Sequence, residues 1–405
     1  MSDWEKYKFS EFAEIIKDGF HPSSNGELFY IGLEHIEQQT LRLYSIGKSS
    51  EVTSNKFRFK KGDILFGKLR PYFRKVYRPK FSGVCSTDIW VIRARKEFDQ
   101  SFLFYFLASE EFISLSNQSS NGTRMPRADW NNLKNIQFLL PDFPTQIRIA
   151  SILSSLDDKI ELNRRMNHTL EQMAQALFNH YFVDNIDPDN LPEGWRWGKL
   201  NEMYKTTSGG TPSRTKMDYY NDGNIFWVKS KELNNGFILD TEEKITIVAL
   251  NNSSAKILPK HSVLVAMYGA TVGEIATLSM DATCNQAICA ILPNDNYPYT
   301  FIFQFLKENK QQLINRASGS AQQNISQIVI QNLELVVPSI SVVSKFHQEV
   351  NSLFLQIENN LKENNSLSQI RDTLLPKLMS GEIDVDKIID EEELIENELA
   401  DCKPA

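Results

Sequence analysis

Two stretches of the chain carry a single stripe of apolar positions at helical spacing. From Thr145, directly after Pro144, apolar residues recur in steps of three and four at Ile149, Ile152, Leu156, Ile160, Met166, Leu170, Met173, Leu177 and Tyr181. Neither Pro nor Gly interrupts this run before Phe182. The stretch from Val342 to Met379 repeats it with Phe346, Val350, Leu353, Ile357, Leu361, Leu367, Ile370, Leu374 and Leu378. Pro376 falls in its last turn, where a proline kinks or ends a helix. Each stretch predicts a rod of about 57 Å. A stripe near a 3.5-residue repeat predicts that the rods pair as a coiled coil. The seam is placed on Ile149, Leu153, Leu156, Ile160, Leu170 and Leu177 in the first rod, and on Val350, Leu353, Ile357, Leu367 and Leu374 in the second. Each rod follows its own globular part, so an antiparallel pair would put those parts at opposite ends. The pattern leaves open a second arrangement, in which each helix lies along its own domain.

The remaining chain is rich in short apolar runs broken by Gly, Pro, Asn and Ser. Asp63–Phe66, Ile89–Ile92, Ser262–Val265 and Leu333–Val337 read as strands, and Ser101–Ser114 and Thr300–Asn315 as helices. These segments repeat. Trp4, Lys8 and Glu11 match Trp195, Lys199 and Glu202; Cys85 and Ile89 match Cys284 and Ile288. Gly122 and Pro141 match Gly319 and Pro338, and the register continues through Leu156/Leu353, Ile160/Ile357, Asn163/Asn360 and Leu177/Leu374. An offset held between 191 and 199 residues across two halves marks a duplication, with a period too long for a solenoid. The expected organisation is a mixed α/β domain over 1–144, a long helix over 145–182, a linker over 183–191, a second domain over 192–340, a second helix over 341–381 and an acidic tail over 382–405.

Charge sharpens this picture. The 405 residues carry a formal −7, which taken whole disfavours a polyanion-binding protein. Residues 382–405 hold ten acids and two bases, a net of −8, which leaves +1 on residues 1–381. Between Lys56 and Lys80 ten Lys and Arg face the single Asp63, interleaved with aromatic residues. Arg124 and Arg127 bracket a second basic loop. At the matching places copy two is neutral. Met267-Tyr-Gly-Ala-Thr-Val-Gly273 stands where copy one has Lys68-Leu-Arg-Pro-Tyr-Phe-Arg74, and Gly319-Ser-Ala-Gln-Gln-Asn324 stands for Gly122-Thr-Arg-Met-Pro-Arg127. Arginine suits phosphate and guanine, whereas Gln and Asn suit adenine. One scaffold with two sets of polar loops suggests one architecture reading two different things.

Catalytic patterns are missing. Gly62 to Leu69 resembles a phosphate-binding loop, but Leu69 replaces the hydroxyl residue and Pro71 follows where a helix should start, so a strand ending in a basic loop is the reading. The four cysteines form no CxxC pair, the six histidines no metal-ligand spacing, and no methyltransferase, helicase or nuclease motif is found. No metal or cofactor is expected in this chain. No apolar stretch is long enough for a membrane span, and the opening MSDWEKYKFSEF holds no apolar core, so a cytoplasmic protein without membrane partners is expected.

Leu191-Pro-Glu-Gly-Trp195, Ser208-Gly-Gly-Thr-Pro212, Trp227-Val-Lys-Ser-Lys-Glu-Leu233, Ile257-Leu-Pro-Lys260, Asn285-Gln-Ala287 and Leu374-Leu-Pro-Lys-Leu-Met-Ser-Gly-Glu-Ile383 closely resemble the signature of the specificity subunit of type I restriction–modification systems. Copy one departs from it, with Gly19-Phe-His-Pro22 for the Gly-Gly-Thr-Pro element and Thr87-Asp88 for Asn-Gln. The resemblance implies an α+β chain of two target recognition domains separated by two long antiparallel helices in a coiled coil. It implies recognition of a bipartite, asymmetric double-stranded DNA, one domain per half-site, with the helices spacing the half-sites and docking two methyltransferase subunits. Those partners would bind S-adenosylmethionine and methylate adenine, and restriction subunits would join them and use ATP. The chain itself would be no enzyme. The residues expected to contact DNA are Lys68, Arg70, Tyr72, Arg74, Lys75, Arg78, Arg124 and Arg127 in the first domain, and Ser208, Thr211, Tyr268, Gln322, Gln323 and Asn324 in the second. The alternative is a stand-alone DNA-binding or scaffolding protein that dimerises through its long helices.

Overall fold

A computed structural model describes residues 4–22, 27–122, 124–184, 186–234, 236–316 and 324–385. The chain forms two compact units, one of residues 1–160 with 366–405 and one of residues 161–365.

In the first unit the strand Glu5–Lys8 pairs antiparallel with Gln137–Leu140. An antiparallel sheet runs in the order Ala13–Ile16, Ile89–Ala94, Ile64–Gly67, Val76–Tyr77. A second sheet runs Gly19–Phe20, Lys56–Phe59, Gly83–Cys85, Phe29–Ile31, Gly47–Lys48, and its Phe29–Ile31 strand lies parallel to Gly83–Cys85. The helix Gln100–Ala108 is apolar all round and buries every side chain from Phe102 to Ala108. The single helix expected over Ser101–Ser114 is two. At Ser109 the backbone turns extended (ψ 149°), and its Oγ accepts the Phe112 amide to cap a new helix, Glu110–Gln118. Phe9, Phe12, Phe66, Phe106, Phe112 and Phe138 interlock around this corner with tilted and edge-on ring pairs.

The second unit repeats that plan. Arg196–Lys199 pairs with Glu334–Val337, and a sheet runs Thr206–Ser208, Ile288–Ile291, Val263–Ala266, Ile275–Leu278, extended at one edge by Gly236–Ile238. A smaller sheet holds Ile225–Val228 parallel to Thr283–Cys284, the counterparts of Phe29–Ile31 and Gly83–Cys85. Here too the expected helix divides, into Tyr299–Glu308 and Lys310–Asn315.

The long helices are Phe143–Phe182 and Ile340–Met379, 40 residues each, or about 60 Å. Pro376 is accommodated inside the second, which ends three residues later before the left-handed Gly381 (φ 71°). Within residues 161–365 the helices run antiparallel: Asn163 meets Asn364, Asn167 meets Asn360, and Tyr181 Oη donates to Glu349 at 2.8 Å. The seam keeps a heptad but differs in membership from the expected stripe. Met166, Met173 and Ile370 are 36%, 48% and 47% exposed, while Asn163, Asn167, Asn360, Asn364 and Arg371 are buried at seam positions. Coiled-coil pairing and packing onto domains also prove compatible. Ala174 and Phe178 of the first helix lie in the core of the second domain, and Leu375 and Leu378 of the second helix lie in the core of the first. Each helix starts on its own domain and finishes inside the other copy's core.

Candidate nucleic-acid interface

The buried strand Ile64–Gly67 delivers the chain to Lys68, as expected of a strand ending in a basic loop. The segment after it is sewn to the loop around Arg127. The Lys68 amide donates to the Asp88 carbonyl (3.0 Å), the Arg70 amide to the Pro126 carbonyl (2.7 Å) and the Ala128 amide to the Lys68 carbonyl (2.9 Å). Leu69 and Asn121 each form a β-bridge with Arg127. The Arg127 guanidinium forks onto Asp88 at 2.9 and 3.2 Å, which raises its pKa and fixes its direction while it stays partly exposed. Arg124, Met125 and Tyr72 are exposed. Lys68, Asn121 and Arg127 open onto a cleft of about 820 Å³ whose wall includes Trp90, Trp130 and Lys17.

Not all of the basic run points this way. Arg74, with a side chain 16% exposed, turns inward to within 4.0 Å of Asp372, and burial lowers its pKa. Lys75 donates to the Leu33 carbonyl, and burial lowers its pKa as well. Arg78 bonds Ser101 Oγ and lies 5.4 Å over the Phe104 ring. Lys56 is buried on Ser54, and Lys80 pairs with Asp158. The structure thus brings Lys68 and Arg127 to one cleft, ties the Arg70 backbone to the same loop pair while Arg70 Nε stays buried, leaves Tyr72 and Arg124 exposed, and engages Arg74, Lys75 and Arg78 with the protein itself.

Copy two builds the same backbone with other side chains. Strand Val263–Ala266 leads to Met267, whose amide donates to the Ala287 carbonyl (2.8 Å), and whose carbonyl accepts the Ile325 amide (2.8 Å). Tyr268 bridges Asn324 as Leu69 bridges Arg127. Gln322 and Gln323 lie outside the described residues. On the neighbouring loop Gly209 and Gly210 press against the backbones of Cys284 and Ser254, where a Cβ would collide. Trp227 Nε1 donates to the Gly210 carbonyl at 3.0 Å. Exposed Thr211 hydrogen-bonds Gln286, and Ser208 is half-buried at the end of its strand.

Asp88 and Gln286, which orient a predicted side chain in each copy, stand in the signature element but not among the residues expected to contact DNA, and Arg214 is not among them either. Arg214 lies 4.4 Å over the Tyr220 ring and 4.9 Å over the Trp227 ring, and bonds Glu243. Lys229 reaches the same carboxylate at 2.8 Å. Hydrogen bonds from Arg214 and Lys229 hold Glu243 down to about 2. The position of Asp88 in the element that replaces Asn-Gln was a usable signal; nothing in the sequence marked the Arg214 stack.

Among the described residues no helix is long and apolar enough to cross a membrane, and no group of three or more His, Cys, Asp or Glu is placed to hold a metal ion. Residues 1–172 and again 192–370 match the family model of the type I restriction modification DNA specificity domain. The type I restriction enzyme HindI specificity subunit of Haemophilus influenzae is 27% identical over an alignment 462 positions long, covering 95% of this chain and 100% of that protein. The MjaIX specificity subunit of Methanocaldococcus jannaschii is 27% identical over 305 residues, covering 71% of this chain and 70% of its own. The crystal structure of the type-I restriction-modification system S subunit from M. genitalium shares the fold, with a TM-score of 0.58 at 18% identity, over 93% of this chain and 96% of that one.

Proposed function

Because the chain belongs to the type I restriction–modification DNA specificity family, matched in both of its halves, we propose that it selects the DNA sequence for a type I complex by reading a bipartite, asymmetric target, one domain per half-site. The observation that carries this reading is the bridged loop pair built twice on one backbone, Leu69 with Arg127 and Tyr268 with Asn324. In the first domain Lys68, Arg70, Tyr72, Arg124 and Arg127 face the duplex, with Asp88 holding the Nε and Nη2 side of Arg127 so that its remaining Nη1 and Nη2 hydrogens meet a guanine edge or phosphate. In the second, Ser208, Thr211, Tyr268 and Asn324, with Gln322 and Gln323, supply hydroxyl and amide groups suited to adenine. Phosphate contacts outnumber base contacts.

The long helices space the half-sites and dock two methyltransferase subunits, through which restriction subunits join. S-adenosylmethionine belongs to the methyltransferase partners, and this chain contributes recognition without bond chemistry. Genome-wide mapping of methylated adenines in cells expressing the assembled complex tests the reading. A two-part motif is expected. Arg124→Ala combined with Arg127→Ala should degrade one half of the motif and leave the other intact. Absence of a bipartite motif, or equal loss of both halves in a folded variant, overturns the assignment.

A further inference from the structure

The seam of the helix pair changes character at one place within residues 161–365. Asn163, Asn167, Asn360 and Asn364 occupy positions where the heptad calls for Leu or Ile, and none is more than 7% exposed. Asn163 Nδ2 donates to Asn364 Oδ1 at 3.0 Å, and Asn360 Nδ2 donates to Asn167 Oδ1 at 2.7 Å. Glu363 accepts a second bond from Asn163 at 2.7 Å, and Gln356 donates to Asn360 at 2.8 Å, bracing the layer from outside. The internal repeat relates Asn163 to Asn360 and Asn167 to Asn364 at one offset of 197 residues, so it exchanges one bonded pair for the other.

An apolar seam accepts displacement by a heptad, because one Leu packs against another about as well as against its neighbour. Four amides do not. Sliding by one heptad sets Asn163 against Ile357 and Asn360 against Ile160, and buried amides lose their partners in an apolar surrounding. Neutral amides also avoid the desolvation cost that buried carboxylates or ammonium groups would bring.

We infer that this asparagine quartet is the register lock of the two long helices, and through them a determinant of the half-site spacing that the complex accepts. The spacing part rests on the proposed reading of a bipartite target; the register part does not. A slip of one heptad moves one helix along the other by about 10.5 Å, the rise of about three base pairs.

Two measurements on the full chain, co-purified with its methyltransferase subunits, test the lock. In a Cys402→Ser background, Leu170→Cys with Ile357→Cys reports the native register, and Leu170→Cys with Val350→Cys reports the one-heptad slip, by disulfide yield on a non-reducing gel. With the four asparagines present, the native pair should exceed the slipped pair by about tenfold or more. Replacing all four by Leu should bring the two yields to within about threefold of each other. An unchanged ratio overturns the lock. If the quadruple variant loses its helical circular dichroism, Asn167→Leu with Asn360→Leu, which keeps one bonded pair, repeats the measurement, and an unchanged ratio there also overturns it. In parallel, methylated-adenine maps should show one spacer length for the native chain, with spacers about three base pairs longer or shorter added in the Leu variant. A native complex with no bipartite motif overturns the functional reading, while the disulfides still decide the register. Mixed disulfides with an unchanged spacer overturn only the link to spacing.

Discussion

Arg70 and Arg74 sit at φ 52° and 48°, at the two ends of the turn Pro71–Phe73, and the matching residues of copy two are Gly269 and Gly273 at φ 74° and 79°. The backbone wants glycine at both places, since a left-handed residue with a Cβ costs roughly 1–2 kcal/mol. Copy one accepts that strain at Arg74 to reach Asp372 inside the protein and at Arg70 beside the bridged loop pair, and strained residues of the second kind gather at functional sites. Arg70→Gly should therefore raise stability, by up to about 1 kcal/mol in urea denaturation, while weakening DNA binding in a gel-shift titration at fixed salt. Stability and affinity falling together would contradict the argument. Both arginines stand in the same basic run, and only the packing shows that Arg74 turns inward to Asp372. Glu243 gives a pH signature. Its folded pKa of about 2 lies below the ordinary 4.5 because Arg214 and Lys229 bond the charged form. Its contribution is therefore present above pH 4.5 and is lost as the pH falls towards 2. The gap in urea midpoint between the native chain and Glu243→Gln should be open at pH 7 and narrow below pH 4.5. The carboxylate is about a third exposed, so solvent screening keeps that gap modest.

The long helices were legible because a stripe at steps of three and four is written into consecutive residues. Which positions form the seam was less legible. Hydrophobicity selects Met166 over Asn163 and Asn167, whereas the 3.5-residue repeat through Ile160 and Leu170 passes through the asparagines. Leu162, Met166 and Met173 are instead exposed at 54%, 36% and 48%, on one face at steps of four and seven. On the proposed reading this face meets a methyltransferase subunit. Changing all three to Asp should leave stability within about 0.5 kcal/mol per site and reduce co-purification of the methyltransferase. Undiminished assembly would place docking elsewhere. The split at Ser109 was equally hidden. A run of apolar residues predicts a helix, and only the capping bond from the Phe112 amide shows where one ends and the next begins.

Across the whole molecule, the duplication seen as an offset held between 191 and 199 residues returns as a repeated sheet order and a repeated bridge between two loops. The net −7 said little about function, because it sums a nearly neutral body and an acidic tail. Even the concentrated positive run was partly misleading, since several of its cations bond carbonyls, hydroxyls and carboxylates of the protein. The sequence by itself determined the two copies, the strands that end in the loops, the two rods and the lack of catalytic motifs, because repeats, periodicity and spacing are properties of neighbouring residues. Tertiary structure alone decided which charges face outward, that Asp88 aims Arg127, that asparagines fill the centre of the seam, and that each rod finishes in the other copy's core. Those outcomes depend on partners distant in the chain, such as Asp372 for Arg74 and Asn364 for Asn163, and no local pattern encodes which distant partner a side chain will meet.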